Sequence, residues 1–165
     1  PLKIKHLPLN SEVKDSATGL SGRLVHLSVE LGGVHFYNFQ PRGLNPEDGQ
    51  PVTRSWLLPA RIANAPSEIE NDLPVEVLGT EATDDASGFT GKVISLTLHP
   101  SGCVHVVLQP AGKLAKTGNA IASSDFDIRR VSGPAIPKLT AEQVRQAERD
   151  KPSPSACDRT GPRSL

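Results

Sequence analysis

The constraint that most limits this chain is internal repetition. Residues 9–62 align onto 78–131 at a constant offset of 69 without a gap, so whatever folds from the first segment must fold again from the second. Leu9, Glu12, Asp15, Ala17, Gly19 and Gly22 meet Leu78, Glu81, Asp84, Ala86, Gly88 and Gly91. Further on, Leu27, Gly33, Gln40-Pro41, Gly43, Gly49 and Arg61 meet Leu96, Gly102, Gln109-Pro110, Gly112, Gly118 and Arg130. Leu20 with Phe89, Leu24 with Val93, Val25 with Ile94 and Ile62 with Val131 keep the apolar phase between those identities. Composition alone does not hold glycines, a Gln-Pro step and an apolar phase in register over this length.

Each copy reads as short strands and turns. Asp15 to Gly19 and Asp84 to Gly88 are turn sequences, in which Asp and Ser or Thr side chains bond nearby backbone and Gly accepts a positive φ. A strand follows, Gly22 to Leu31 in the first copy and Gly91 to His99 in the second. Leu27 and Val29 fall on one face, Ser28 and Glu30 on the other. Gly32-Gly33 signals a two-residue hairpin, and Pro100-Ser101-Gly102 takes its place in the second copy. Return strands at Val34–Phe39 and Cys103–Leu108 end at the Gln-Pro steps, because Pro does not continue a central ladder. Polar loops, 42–50 and 111–119, lead to a last short strand near Val52–Leu58 and Ile121–Ile128.

The expected fold is therefore all-β: two tandem small SH3-like (KOW-like) β-barrels, residues 1–62 and 78–131, with a short linker at 63–77. A module this small is marginal by core size and has edges to hide, which curling into a barrel achieves. Aromatic residues are only 4% of the chain, so its core must rest on Val, Leu and Ile. In the linker, residues 66–72 fit either one helical turn between prolines or an extended segment. Residues 132–165 read as an extended C-terminal arm with one helix near 140–150, started by the capping box Thr140-Ala141-Glu142-Gln143. Beyond Lys151, Pro, Ser, Arg and Gly dominate, a composition that orders when laid along a partner.

Charge and chemistry narrow the function classes. The 18 basic and 18 acidic residues cancel, leaving no general attraction for phosphate backbones or anionic membranes. No run approaches the ~18 apolar residues of a membrane span. No signal peptide opens the chain; a start at Pro1 reads as a cytosolic product after removal of an initiator Met. Cys103 in an apolar strand and Cys157 in the tail are too unlike to read as a disulfide framework, so two free thiols are expected. His6, His26, His35, His99 and His105 have no metal-site spacing and read as polar or half-exposed strand residues. Asp15 and Asp84 recur because a duplicated module reuses a turn, which is no reason to assign acid or base work. No nucleophile elbow or phosphate loop is present, so no enzyme, cofactor or metal is expected. Small KOW barrels do bind nucleic acid, and Arg42, Arg54, Arg61, Lys113, Lys116, Arg129 and Arg130 are the candidate patch. Acidic residues interleave with them, and Tyr37 and Trp56 lack a stacking array.

The turn motif, followed by a basic residue, a strand, Gly, a second strand and Gln-Pro, resembles a family of small proteins encoded by tailed bacteriophages. The resemblance covers Asp15–Pro41 and Asp84–Pro110 and is closer in the second copy, with Gly88-Phe89-Thr90-Gly91, Gly102-Cys103-Val104 and the closing piece Ser124-Asp125-Phe126-Asp127. The first copy departs there, with Ser55-Trp56-Leu57-Leu58. The resemblance implies a non-enzymatic virion structural protein, made in the host cytoplasm. A capsid decoration or cement protein bridging major capsid subunits is favoured over a head–tail, tail or baseplate component, with a KOW-like nucleic-acid binder as the reading from another class. The structural turn residues are Asp15, Gly19, Gly22, Gly33, Asp84, Gly88, Gly91 and Gly102. The candidate partner-binding residues are Trp56, Val144, Arg145, Arg149, Arg159 and Arg163.

Overall fold

A computed structural model describes residues 2–136 and, beyond them, positions 142 and 145. The fold is all-β and divides into two compact units, Pro1–Glu76 with Thr97–Gly102, and Val77–Leu96 with the described residues from Cys103 onward.

In the first unit, β2 (Glu12–Asp15), β3 (Ser21–Glu30), β4 (His35–Pro41) and β5 (Ser55–Leu57) are joined in turn by antiparallel pairing, except that β5 follows a loop. The chain then makes a single 3-10 turn, η1 (Pro59–Arg61), and β6 (Ile62–Ala63) returns to pair with β2. The strand order is thus β6-β2-β3-β4-β5. The second unit repeats it with β12 (Val131–Ser132), β8 (Glu81–Asp84), β9 (Thr90–Leu98), β10 (Val104–Gln109) and β11 (Ser124–Asp127), again with a 3-10 turn, Ile128–Arg130, before the last strand. The duplication in sequence is a duplication in topology. Among the described residues no closed barrel forms, because β5 and β6 each pair with one strand, as do β11 and β12. The expectation of closure fails here: each last strand is two residues long and closes only onto the first.

Apolar alternation builds the core, with one adjustment. Leu24 and Leu27 are both fully buried although three residues apart, a spacing that an unbroken strand would put on opposite faces. The ladder between β3 and β4 shifts register between Leu24 and His26, and this bulge turns both leucines inward, opposite Phe39 and Tyr37. Val93 and Leu96, at the same separation, are equally buried in the second unit. Each such side chain is worth roughly 1.5–3 kcal/mol of transfer free energy. Ser28, on the face opposite Leu27, is also buried, and its hydroxyl donates to Glu30.

Three other expectations are corrected. The first hairpin turn takes Leu31 to Gly33, one residue more than a two-glycine turn, because Glu30 and Val34 already share a backbone hydrogen bond. Within the segment 63–77 the extended alternative for residues 66–72 is the one that forms. Ile69–Leu73 make up β7, which pairs over five positions with β1 (Leu2–His6), a strand the repeat does not contain. His6 and His105 are buried, not half-exposed. Cys103, half-buried just before β10, is disulfide-bonded and not the free thiol expected, while Cys157 lies outside the described residues.

Candidate functional site

The most elaborate polar arrangement in each unit is the turn that follows β2 in the first and β8 in the second. Gly19 donates its N–H to the Asp15 carbonyl over 2.8 Å, and Asp15 donates to Leu20 over 2.9 Å. Gly19 and Gly88 adopt φ values of 75° and 76°, the left-handed conformation that Gly tolerates best. The Asp15 carboxylate, 1% exposed, accepts from the Ala17 N–H and from the Thr18 hydroxyl, the latter at 2.6 Å. Arg61, 46 residues downstream on η1, then grips it in bidentate fashion, Nε to Oδ1 at 3.0 Å and Nη2 to Oδ2 at 2.6 Å. The second unit repeats the arrangement with one change: Ser87 and Arg130 take the places of Thr18 and Arg61 around the wholly buried Asp84, and the backbone N–H that reaches the carboxylate comes from Ser87, where Ala17 supplies it in the first unit.

The electrostatics follow from those contacts. Hydrogen bonds from Arg61, then Thr18, hold the Asp15 carboxyl far below the usual carboxylate range. Burial pushes Asp84 up, but Ser87 and Arg130 outweigh it, and its pKa is lowered. Asp127 behaves likewise, with burial opposed by Arg129. Charged, bidentate and hydrogen-bonded on most sides, Asp15 and Asp84 tie the first turn of each repeat to the 3-10 turn that precedes its last strand, while Asp127 binds Arg129, two residues on. Backbone bonds reinforce the tie, since Ser16 and Asp85 donate to the carbonyls of Arg61 and Arg130 at 2.8 Å.

The remaining matched residues also have definite tasks. Gly22 and Gly91 are not turn residues: a Cβ on Gly22 would lie 2.1 Å from the Gln40 carbonyl oxygen, and one on Gly91 2.6 Å from the Gln109 carbonyl carbon. Gly33 and Gly102 do have positive φ, as a turn requires. Gln40 and Gln109 reach across to the polar loops, their Nε2 donating to the carbonyls of Val52 and Ile121 at 2.7 Å. Residue type and spacing had suggested Asp15 and Asp84 as turn formers. The roles of Arg61, Arg130, Gln40 and Gln109 went unseen, although their recurrence at the same offset was a signal.

The candidate partner-binding residues scatter. Trp56 lies on β5, half-exposed on a strand with one partner. Arg145 is exposed in helical backbone, whereas Val144, Arg149, Arg159 and Arg163 lie outside the described residues. Five of the seven residues of the candidate basic patch have partners: Arg61, Arg130 and Arg129 bind Asp15, Asp84 and Asp127, Arg42 pairs with Glu12, and Arg54 donates to Gln40, while Lys113 and Lys116 are exposed. Beside Arg23, Arg42, Gln40 and Pro51 lies a shallow groove of about 340 Å³ in the first unit, where Glu12 already faces both arginines. Among the described residues no three His, Cys, Asp or Glu side chains converge as a metal site, and no helix is long and apolar enough to cross a membrane.

The chain matches no protein family, no curated protein and no solved structure.

Proposed function

We propose that this protein is a non-enzymatic virion structural component of a tailed bacteriophage, built from two SH3-like modules that bind neighbouring proteins of the particle. A capsid decoration protein bridging major capsid subunits is the favoured form, ahead of a neck, tail or baseplate component. The SH3-like reading is supported by the order of strands in each unit and by the 3-10 turn that leads the last strand back to the first. The phage reading is supported by the resemblance of the turn motif and its Gln-Pro terminator.

One observation carries the binding reading. The two units share a scaffold and differ at the edge: β5 presents Trp56, 50% exposed, where β11 presents Asp125. An acidic edge is protected from pairing, whereas an edge bearing an exposed Trp is what a partner-binding surface requires. The buried carboxylates, meanwhile, are occupied in holding the scaffold.

The test is mass spectrometry of purified virions of the phage that encodes the chain. Many copies per particle are expected, with lower occupancy when Trp56→Asp replaces the native chain. Particles that lack the chain would end this reading. Steep, salt-sensitive binding to DNA or RNA would replace it with the nucleic-acid one.

A further inference from the structure

The loop that follows each Gln-Pro step is built twice to one design and carries opposite charge. Gly43 and Gly112 open it with φ values of 121° and 92°, and Gly49 and Gly118 close it at 68° and 70°. Within it, Asn45 donates to the Gln50 carbonyl at 2.7 Å and Gly49 to the Asn45 carbonyl at 2.8 Å. The equivalent bonds, Leu114 to Asn119 and Gly118 to Leu114, are both 2.8 Å. Isolated bridges at matching positions, Leu44 with Pro51 and Lys113 with Ala120, pin the base. Gln40 and Gln109 hold the outgoing chain.

On this common frame, residues 43–50 contain Glu47 and Asp48 and no basic residue, while residues 112–119 contain Lys113 and Lys116 and no acidic one. All four side chains are exposed. Each loop also exposes a leucine, Leu44 at 66% and Leu114 at 48%. From this we propose that the protein associates with itself head to tail, the acidic loop of one molecule docking on the basic loop of another.

The reasoning is one of complementarity and preorganisation. Two exposed charge pairs give little by themselves, but leucines beside them supply apolar area to cover. Because both loops are pinned by their own backbone bonds, little ordering entropy opposes docking. Unlike surfaces meeting in this way form a heterologous contact, which closes into a ring or continues as a filament. The proposal needs no virion and stands apart from the reading above.

Sedimentation velocity on the full chain tests it. The native chain should grow in size with concentration at low ionic strength and return to monomer at high salt, where screening falls to a few ångströms, about 3 Å at 1 M. Glu47→Lys with Asp48→Asn, which keeps the side-chain oxygen that accepts from Gln50, should lower the association constant about tenfold or more. Lys113→Glu with Lys116→Glu should do the same. An equimolar mixture of the two variants should associate again, since one has only basic loops and the other only acidic ones. The neutral pair Lys113→Gln and Lys116→Gln serves if a reversed variant fails to fold. A native chain that stays monomeric at low salt, association that survives either reversal, or a mixture that does not recover would each overturn the proposal.

Discussion

The carboxylates of Asp15 and Asp84 show how much of a side chain's role depends on a residue far away in sequence. Their turn chemistry is local and readable: an Asp, then Thr or Ser three positions on, then Gly. Their arginine partners are not, because no local pattern links positions 46 apart, and only the shared offset of both pairs hinted at a connection. Removing one member of a buried pair strands the other. Arg130→Ala should therefore lower the unfolding free energy by on the order of 2–3 kcal/mol, discounted from fully buried pairs because the guanidinium is half exposed. Arg130→Lys should recover only part of it, lacking the bidentate fork; urea denaturation of both variants measures the difference. The glycines divide in a similar way. Gly32 has a φ of 101° and open space around it, so Gly32→Ala should cost about 1 kcal/mol. Gly22→Ala must push a Cβ into backbone and should cost clearly more; equal effects would mean that β3 and β4 separate readily at that point.

At the scale of elements, the strands of the repeat were legible to within a few residues because apolar alternation, Gly-rich turns and Gln-Pro steps mark them twice. The bulge at Val25 was not, since a register shift leaves no residue-type signature in a run such as Leu24-Val25-His26-Leu27. Strand β1 was invisible for another reason: its partner β7 lies outside the repeat and far along the chain, in a segment bounded by prolines. His6 fastens that pair, its Nδ1 on the Leu7 carbonyl and its Nε2 accepting from Asn71 at 2.8 Å. Loops depend on single side chains here. Gln109→Ala should cost about 1 kcal/mol and raise amide exchange in 111–119, since the Ile121 carbonyl loses its partner; unchanged exchange would show that the loop's own backbone bonds suffice. Trp56→Ala should cost about 1–2 kcal/mol, less than the loss of a fully buried Trp because half of that side chain already meets solvent. Its further effect belongs to binding.

For the molecule as a whole, the depressed carboxylates fix the sign of the pH response. Asp15, Asp84 and Asp127 titrate lower in the folded chain than the value of about 3.9 expected when unfolded. The unfolded state then binds more protons as pH falls, so stability from these groups is present above that value and drains away below it. The urea midpoint should be flat from about pH 5 to 7 and drop below about pH 4; a midpoint that rises on acidification would contradict the clamp. The all-β class and the duplication were both readable from the chain. The open, unclosed sheets were not, because closure depends on how far a two-residue last strand reaches. That short strand has a consequence for how such a chain grows. Lys14 sits across from Ala63 and Thr83 across from Ser132, so each module begins and ends at neighbouring points. A unit with adjoining ends behaves as a cassette: spliced in tandem, or into an exposed loop of an unrelated host, it adds a folded body without pulling its surroundings apart. A synthetic third copy placed after the second should fold on the same terms.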